Sequence, residues 1–582
     1  QHMATLNAAL ASARPGDTVT VPVRVHRGPF RVPVGVTLVA EAPGATLLGP
    51  IVLRSGRLEG LTLKGDGPAA AARPSTACSP RGPQTPRASS LVPPSPRLAP
   101  ALVDIASGSS TLIGCRIHGT VRVGPGCTAQ IQRSHISCAA GAGVELNGTA
   151  DGCEVSDNTI EARGGAGIVV RRRARALLAS NCVLGSGGAG IEVGARAVAK
   201  LVQNTVHDGR GQGVLVHDGG SAELRANDIR RNFSSAVELS GEGTSAVLSG
   251  NTLRDGQSGV GLLIHRSAHA VATDNEIGGH PIANVEVGDG SAPTLERNLL
   301  ESSHGVGLLL MPGAAGTYRR NTVRLNGRAG IECCSAELEG LLLDSNDISQ
   351  QRGGVGALLL QGGAGRWHDN KLAGNAVGMQ LGKGAAPSVL RNHLCENRRT
   401  GLELRPGSAG RVRDCRIHNN GHDRMADGGR RGARTAGDDS GAGVVMRRAS
   451  ATELVQNQIE LNAGAGVFAD SLSEGQLSRN VLKGNGGAPL SARPSSATAS
   501  RPNSARGNVD GDRRPLEPTV VRRQRVPFDW TVGAIVTAHD KTLQERVGEM
   551  HASYLAMRDD GPAGVLLQMP SGSGASEVCS VM

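Results

Sequence analysis

The sequence predicts an all-β solenoid, in which short strands build about eighteen stacked coils. Two observations predict it. An asparagine followed two residues later by an aliphatic residue recurs every 22 to 25 residues, and glycine-rich stretches separate three short alternating runs within each period. The 83 glycines suit the many turns that such a chain needs. The unbroken period favours one elongated domain with long repeated faces over several globular domains.

The coil around Asn181 shows the parts of one period. An alternating run from Ala176 to Val183 is followed by a glycine-rich turn at 185–190 and by Ile191-Glu192-Val193. Side chains alternate along a strand, so Glu192 faces away from its two aliphatic neighbours. Coils stacked about 4.8 Å apart then form three parallel sheets around a narrow apolar core.

The asparagines are expected to stack at one turn, where their amides hydrogen-bond from coil to coil. At Cys415 a cysteine replaces the asparagine, and Asn457 and Asn480 resume the series. The predicted ladder consists of Asn158, Asn181, Asn204, Asn227, Asn251, Asn275, Asn298, Asn321, Asn346, Asn370 and Asn392.

These repeats resemble those of the pectin-lyase-like superfamily, specifically the short coils of CASH and NosD-type repeats. The resemblance covers about residues 17–487 and implies a single-stranded right-handed parallel β-helix. It extends to the N-terminus, where 5–13 predict a short helix and Arg14-Pro-Gly-Asp-Thr-Val-Thr-Val21 is similar to the family's usual first coil.

Composition divides the chain into six segments. Stretches rich in Pro, Ser and Arg are expected to be disordered because they hold too few apolar residues to offset chain entropy. The segments are an N-terminal cap with the first coils (1–67), a disordered insertion (68–100), the β-helix with a loop insertion at 421–440 (101–487), a disordered linker (488–518), a small C-terminal segment (519–570) and a flexible tail (571–582).

The C-terminal segment contains one amphipathic pattern. Leu543, Val547, Met550, Tyr554 and Met557 recur at spacings of 4, 3, 4 and 3, which predicts a helix over about 537–557. We expect it to cover the open end of the solenoid, since solenoids need caps. A short dimerisation or docking helix is the alternative.

Several features indicate the cellular setting. Eleven cysteines without a Cys-x-x-Cys motif suggest reduced thiols and a cytoplasmic protein, and no run of about 20 apolar residues predicts a membrane span. The final residues Cys579-Ser-Val-Met582 match a farnesylation box, which would tether the chain reversibly to a membrane surface. Proline-directed phosphorylation is expected at Ser79, Thr85 and Ser95, unless Arg/Pro/Ser-rich sequence generates these triplets by chance.

Relatives with this fold include polysaccharide lyases, hydrolases and epimerases, which would use paired carboxylates and aromatic platforms for sugar rings. The pairs Asp438-Asp439 and Asp559-Asp560 lie in a predicted loop and tail, and the chain has only two Trp, two Tyr and four Phe. The triplet His422-Asp423-Arg424 is better explained as solvated loop. The sequence therefore predicts no catalytic residue, no metal site and no cofactor.

A second pattern lies on the outward position of the third strand in each coil. Glutamates there alternate with aliphatic residues, so the true repeat is two coils. Alternation keeps like charges apart, and it also follows from duplication of a two-coil unit. The same strip is the kind of surface that a protein partner recognises. The predicted interaction face consists of Glu145, Glu192, Glu238, Glu286 and Glu332 with Leu215, Leu263 and Leu309.

These features favour a non-catalytic scaffold that binds a protein partner along the Glu/aliphatic face. The chain resembles the β-helix portion of F-box proteins, which implies substrate recruitment in a ubiquitin-ligase-like setting, although the sequence shows no F-box. One alternative is a carbohydrate-active enzyme with a glycan partner. Another is an anionic ligand at the basic turn Arg171–Arg175, where the lack of interleaved aromatics argues against nucleic acid.

Overall fold

A computed structural model describes residues 5–66, 100–360, 362–422, 441–470 and 473–492, with the backbone of 505–506 and 509–510. The predicted phosphorylation sites Ser79, Thr85 and Ser95 lie outside the described residues. So do the predicted helix at 537–557 and the lipidation site Cys579. None of the helices in the described ranges is both long and apolar enough to cross a membrane.

The chain forms a parallel β-solenoid of three sheets, as the repeats predict. One helix, Leu6–Ser12, precedes the first coil. The Thr5 side chain accepts a hydrogen bond from the Ala8 N–H, and Leu6 and Leu10 are buried against the first coils. Twenty strands in each of two sheets and nineteen in the third agree with the predicted coil number of about eighteen.

The first sheet contains the strands that precede the asparagine ladder. Its strands are Thr18–Val21, Thr37–Ala40, Arg57–Glu59, Ser109–Ile113, Thr128–Gln132, Cys153–Ser156, Arg175–Ala179, Val198–Val202, Ser221–Arg225, Ser245–Ser249, His269–Thr273, Thr294–Glu296, Gly316–Arg319, Leu341–Asp344, Arg366–His368, Ser388–Leu390, Arg411–Arg413, Glu453–Val455, Gln476–Ser478 and Ala505–Arg506.

The second sheet contains the strands that follow the ladder. Its strands are Val25–Arg27, Thr46–Leu48, Thr62–Lys64, Arg116–His118, His135–Cys138, Thr159–Ala162, Cys182–Leu184, Thr205–His207, Asp228–Arg230, Thr252–Arg254, Glu276–Gly278, Leu299–Glu301, Thr322–Arg324, Asp347–Ser349, Lys371–Ala373, His393–Cys395, Arg416–His418, Gln458–Glu460, Val481–Lys483 and Val509–Asp510.

The third sheet follows the glycine-rich turn of each coil. Its strands are Phe30–Val32, Ile51–Arg54, Val103–Ser107, Val121–Val123, Val144–Asn147, Ile168–Arg171, Ile191–Val193, Val214–His217, Val237–Ser240, Leu262–His265, Ala283–Val287, Val306–Leu310, Ala329–Cys333, Val355–Leu359, Val377–Leu381, Thr400–Leu404, Val444–Met446, Val467–Ala469 and Leu490–Ala492.

The solenoid continues past the predicted boundary at 487. Leu490–Ala492 pairs in parallel with Val467–Ala469, and Leu490 packs against the core. This strand lies in the segment that composition predicts to be disordered linker. Composition alone missed it because pairing depends on register: Leu490 lies beside Val467, and the segment pairs with the open edge of the third sheet.

The core is a single apolar column enclosed by the three sheets. Inward side chains such as Leu178, Val183 and Val193 are fully buried and stack on the equivalent side chains of adjacent coils. Each coil therefore buries its apolar residues only because its neighbours cover them. Stability is consequently shared between adjacent coils rather than held in one compact centre.

The eleven predicted ladder asparagines form a continuous buried series of hydrogen bonds. Asn204 shows the pattern: its Nδ2 donates to Asn227 Oδ1 at 3.0 Å and to the Leu178 carbonyl at 2.8 Å. Its backbone N–H also donates to Asn227 Oδ1, at 2.9 Å. At Cys415, where a cysteine replaces the asparagine, the Asn392 N–H donates to Sγ at 3.4 Å. Sulfur is a weaker acceptor than an amide oxygen.

A second ladder, which the sequence reasoning missed, lies five residues further along each coil in the C-terminal half. Asn397 Nδ2 donates to Asn420 Oδ1 at 2.9 Å, and Asn420 Nδ2 donates to Asn462 Oδ1 at 2.8 Å. The signal that could have revealed it is a second amide after each aliphatic residue. The members are Asn326, Gln351, Asn375, Asn397, Asn420, Asn462 and Asn485.

Candidate functional site

The predicted interaction face forms one column on the outside of the third sheet, which we call the outer column. Strand register places Glu145 beside Val169, Val169 beside Glu192, and so on through Leu215 and Glu238. The same register continues through Leu263, Glu286, Leu309, Glu332, Leu358, Gln380 and Glu403.

Most of the outer column is buried, although its side chains face away from the core. The Glu238 side chain is only 8% exposed, and Leu263 is fully buried. Residues of the preceding turns pack onto the column and cover it in three apolar clusters. These clusters are Ala142, Ala166 and Val169; Val260, Leu263, Ala283, Val306 and Leu309; and Ala442, Val445, Ala465 and Phe468.

Arginine and histidine side chains of the same or an adjacent coil lie against most glutamates of the outer column. Glu192 Oε1 lies 3.1 Å from Arg171 Nη2 in the preceding coil and 3.4 Å from His217 Nε2 in the following coil. Glu238 Oε1 lies 3.2 Å from His265 Nε2. Similar contacts occur at Arg122–Glu145 (2.8 Å), Arg328–Glu332 (3.2 Å) and Arg405–Glu403 (3.1 Å). The arginines offset part of the negative charge, so the column is less acidic than the glutamates alone suggest.

The two-coil repeat explains the contacts of Glu192 and Glu238. Two positions after Val169, Leu215 and Leu263 the chain has Arg171, His217 and His265, whereas after Glu192 and Glu238 it has Gly194 and Ser240. The pattern ends in the later aliphatic coils, where Met311 follows Leu309 and Leu360 follows Leu358. At Gly194 an added Cβ would lie 2.7 Å from His217 Nε2, so a larger residue would displace the imidazole. Sequence reasoning considered one outward position per strand and so missed these cations.

Charge pairing shifts the pKa values of Glu192 and His217. Burial would raise the pKa of Glu192, but the hydrogen bond from His217 and the charge of Arg171 outweigh burial and lower it. The same hydrogen bond, which His217 donates to Glu192, raises the pKa of His217. In contrast, burial raises the pKa of Glu332 despite the nearby Arg328. Both shifts therefore favour the charged form of the Glu192–His217 pair.

The outer column is most accessible around this pair. The side chains of Arg171, Glu192 and His217 are 35%, 21% and 27% exposed, and Leu215 between them is partly exposed. This accessible stretch, Arg171–Glu192–Leu215–His217, is called the open segment below.

The basic turn Arg171–Arg175 carries less free charge than its sequence suggests. Arg171 pairs with Glu192, and Arg175 Nε lies 3.3 Å from Asp151 Oδ1. Arg172 and Arg173 are exposed, with φ of 59° and 62°, and have no ion-pair partner among the described residues. Two guanidinium groups therefore remain available for an anion.

Features expected of a sugar-cleaving site are scarce in the described part of the chain. Trp367 and Tyr318 lie fully buried in the core and donate to the Ala364 and Ala315 carbonyls, so they offer no stacking platform. Within the described ranges, no three His, Cys, Asp or Glu side chains are grouped to hold a metal ion. The pairs Asp438-Asp439 and Asp559-Asp560 lie outside the described residues.

One depression of about 640 Å³ lies at the turns between the second and third sheets. It forms where the short turn at Gly374 lies between two longer turns. Among the described residues that line it, Glu396 is the one carboxylate, whereas glycoside hydrolysis uses two. Its lining comprises Gln350, Gln351, Arg352, Gly374, Glu396, Arg398, Asn419 and His422.

Comparisons with known proteins agree with this architecture. The family described as right handed beta helix region matches residues 101–253, 219–377 and 356–512. No curated protein sequence matches the chain.

Three solved structures illustrate the structural likeness. The catalytic unit of the thermostable α-1,3-glucanase of Streptomyces thermodiastaticus is 17% identical, with 58% of this chain and 63% of that chain covered and a TM-score of 0.40. This chain thus spans less than two thirds of the glucanase unit.

The periplasmic alginate epimerase AlgG is 12% identical, with 61% and 82% covered and a TM-score of 0.36. The A-module of the mannuronan C-5 epimerase AlgE6 of Azotobacter vinelandii is also 12% identical, with 61% and 89% covered and a TM-score of 0.34. The repeats, the three parallel sheets and the family match together show that the chain belongs to the right-handed parallel β-helix family.

Proposed function

We propose that the protein is a non-catalytic scaffold that binds a protein partner along the outer column. The observation that carries this proposal is repetition: contact between a glutamate and an arginine or histidine recurs along the column. A catalytic centre needs its acid and base once, at one place. A regular and rigid surface instead suits an extended contact with another macromolecule.

The partner would contact the open segment first. Leu215 is the partly exposed apolar residue there, with Glu192 and His217 as polar neighbours. Protein interfaces commonly place an apolar contact inside a polar rim, and the energy is concentrated in a few residues. In the setting that the F-box resemblance implies, the partner would be a protein recruited for ubiquitination.

Affinity capture with two matched double variants tests the proposal. Leu215→Asn with His217→Gln alters the open segment, while Leu177→Asn with Lys200→Gln alters the first sheet on neighbouring coils, where both side chains are exposed. Each variant removes one leucine and one nitrogen base. We expect a partner, captured together with ubiquitin-ligase subunits, to be lost with the open-segment variant and kept with the control.

Retention of all partners by both variants would contradict a role for the outer column. Loss of the same partners from both would indicate general damage to the coils. Urea unfolding of each variant separates that case from a specific effect.

A carbohydrate-active enzyme is the second candidate, favoured by one observation. Glu192 and His217 form an accessible carboxylate–imidazole pair on the outer face of a sheet. Such a pair could act in acid–base chemistry on a polysaccharide. The test is release of reducing or unsaturated sugar from a panel of neutral and acidic polysaccharides. Activity that Glu192→Gln abolishes would establish the enzyme and overturn the scaffold.

A further inference from the structure

A thiol, an imidazole and a carboxylate lie in line on the outside of the second sheet. Cys182 begins the strand Cys182–Leu184, and His207 ends the strand of the next coil. Cys182 Sγ lies 3.6 Å from His207 Nε2, and His207 Nδ1 lies 2.6 Å from Asp208 Oδ2. This order of nucleophile, base and orienting carboxylate is the arrangement that activates thiols and hydroxyls in catalysis.

An ion pair with Arg231 fixes the position of the Asp208 carboxylate. Arg231 donates to both Asp208 oxygens, at 2.8 and 3.0 Å. Its hydrogen bond lowers the pKa of Asp208 to about 2, so the carboxylate is charged at neutral pH. A charged Asp208 accepts a hydrogen bond from His207 Nδ1–H, which leaves the Nε2 lone pair directed at Cys182 Sγ.

Cys182 is one of two partly exposed cysteines among the described residues. The other is Cys334, and the remaining seven are buried. Burial raises the pKa of Cys182, and the charge of Arg230 opposes this only in part. The thiol is therefore protonated at neutral pH, and its reactivity depends on a base that removes the proton.

The surroundings favour reaction with a disulfide over acyl transfer. Acyl transfer needs N–H donors for a developing oxyanion. The nearby N–H groups of Cys182 and Thr205 already donate to the Asn158 and Asn181 carbonyls, both at 2.8 Å. Thiol–disulfide exchange needs only a thiolate and access. The register neighbours of Cys182 are the short side chains Thr159 and Thr205, which leave the sulfur approachable.

We propose that Cys182 is a modification site that forms mixed disulfides with low-molecular-weight disulfides, with His207 as the base. The thiol proton moves to His207 Nε2 as Sγ attacks one sulfur of the disulfide. A new S–S bond to Cys182 forms, the original S–S bond breaks, and the departing thiolate takes the proton from His207. The disulfide is the oxidant, and the function of the outer column is not involved.

Site-resolved thiolation of the full chain tests this proposal. The protein is incubated with oxidised glutathione, and mass spectrometry of its peptides gives the rate at each cysteine. We expect His207→Gln to slow modification of Cys182 at least about tenfold, a modest share of the usual effect of a general base. Asp208→Asn should slow it less, because it leaves the base in place but no longer fixes its orientation.

His135→Gln, on the same sheet but away from Cys182, is the matched control and should leave the Cys182 rate unchanged. Cys334 reports on folding, since unfolding would accelerate its modification. A Cys182 rate unaffected by both His207→Gln and Asp208→Asn would overturn the proposal. The proposal would also be overturned if His135→Gln slowed the modification of Cys182 as much as His207→Gln does.

Discussion

Replacing one ladder asparagine by alanine should destabilise its coils measurably. The Asn227 side chain makes four hydrogen bonds. Its Oδ1 accepts from the N–H and Nδ2 of Asn204, at 2.9 and 3.0 Å, and its Nδ2 donates to the Leu201 carbonyl at 2.8 Å and to Asn251 Oδ1 at 2.9 Å. Asn227→Ala removes all four.

Two buried backbone groups then lose the partner that Asn227 supplies, namely the Asn204 N–H and the Leu201 carbonyl. Asn251 Oδ1 keeps its bond from the Asn227 N–H, at 2.9 Å. A buried polar group left unpaired costs about 1–3 kcal/mol, so we expect a loss of about 3 kcal/mol. Each 1.4 kcal/mol is a factor of ten, which predicts amide exchange at Asn204 about 100-fold faster.

Hydrogen exchange on peptides spanning residues 195–235 measures this effect. Local exchange is preferable to one unfolding midpoint, because long repeat arrays need not unfold in a single step. Arg225→Ala, which removes an exposed side chain from the same coil, is the control and should leave exchange unchanged. Exchange in Asn227→Ala equal to that of the wild type would refute the reasoning that the ladder stabilises the turn.

Three further predictions follow from other parts of the molecule. Gly378→Ala should lower the stability of its coil in urea unfolding, because the new Cβ would lie 2.8 Å from Nδ2 of Asn397 in the second ladder. The control Gly65→Ala should be neutral, because its new Cβ would meet no atom within 4 Å. The pKa of His217 is raised in the folded protein, so the stability that His217 gains from the pair is present below its unfolded pKa and is lost as the pH rises through its folded pKa. The pKa of Glu192 is lowered, so the stability that Glu192 gains is lost as the pH falls through its folded pKa. A double-mutant cycle on this pair should therefore give its largest coupling at about pH 5–6 and a smaller one at pH 9, and a coupling independent of pH would contradict the pairing. Farnesyltransferase should modify the wild-type chain and not Cys579→Ser, and an unmodified wild type would exclude the lipidation site.

The fold was predictable because its two main signals are local. The interval between successive ladder asparagines sets the coil, and the alternation around Ile191 and Val193 sets which side chains enter the core. Both depend on neighbours in sequence, and stacking repeats them. The second ladder escaped notice because it occupies only the later coils and includes Gln351 in place of an asparagine.

The charge balance of the outer column was less predictable for a physical reason. The contact between Glu238 and His265 joins residues 27 apart, on diagonal positions of adjacent strands. Register gives which residues lie side by side, but not which long side chain reaches across. The same limit applies to Cys182 and His207, 25 residues apart. Sequence patterns specify faces well and individual contacts poorly.

A hydrogen-exchange footprint of the protein with its captured partner tests the scaffold most directly. The account predicts slower exchange on partner binding in third-sheet peptides containing the open segment, Arg171–Glu192–Leu215–His217. It predicts no change in the first-sheet strands Val198–Val202 and Ser221–Arg225. Protection confined to the first or second sheet, with the open segment unchanged, would contradict it.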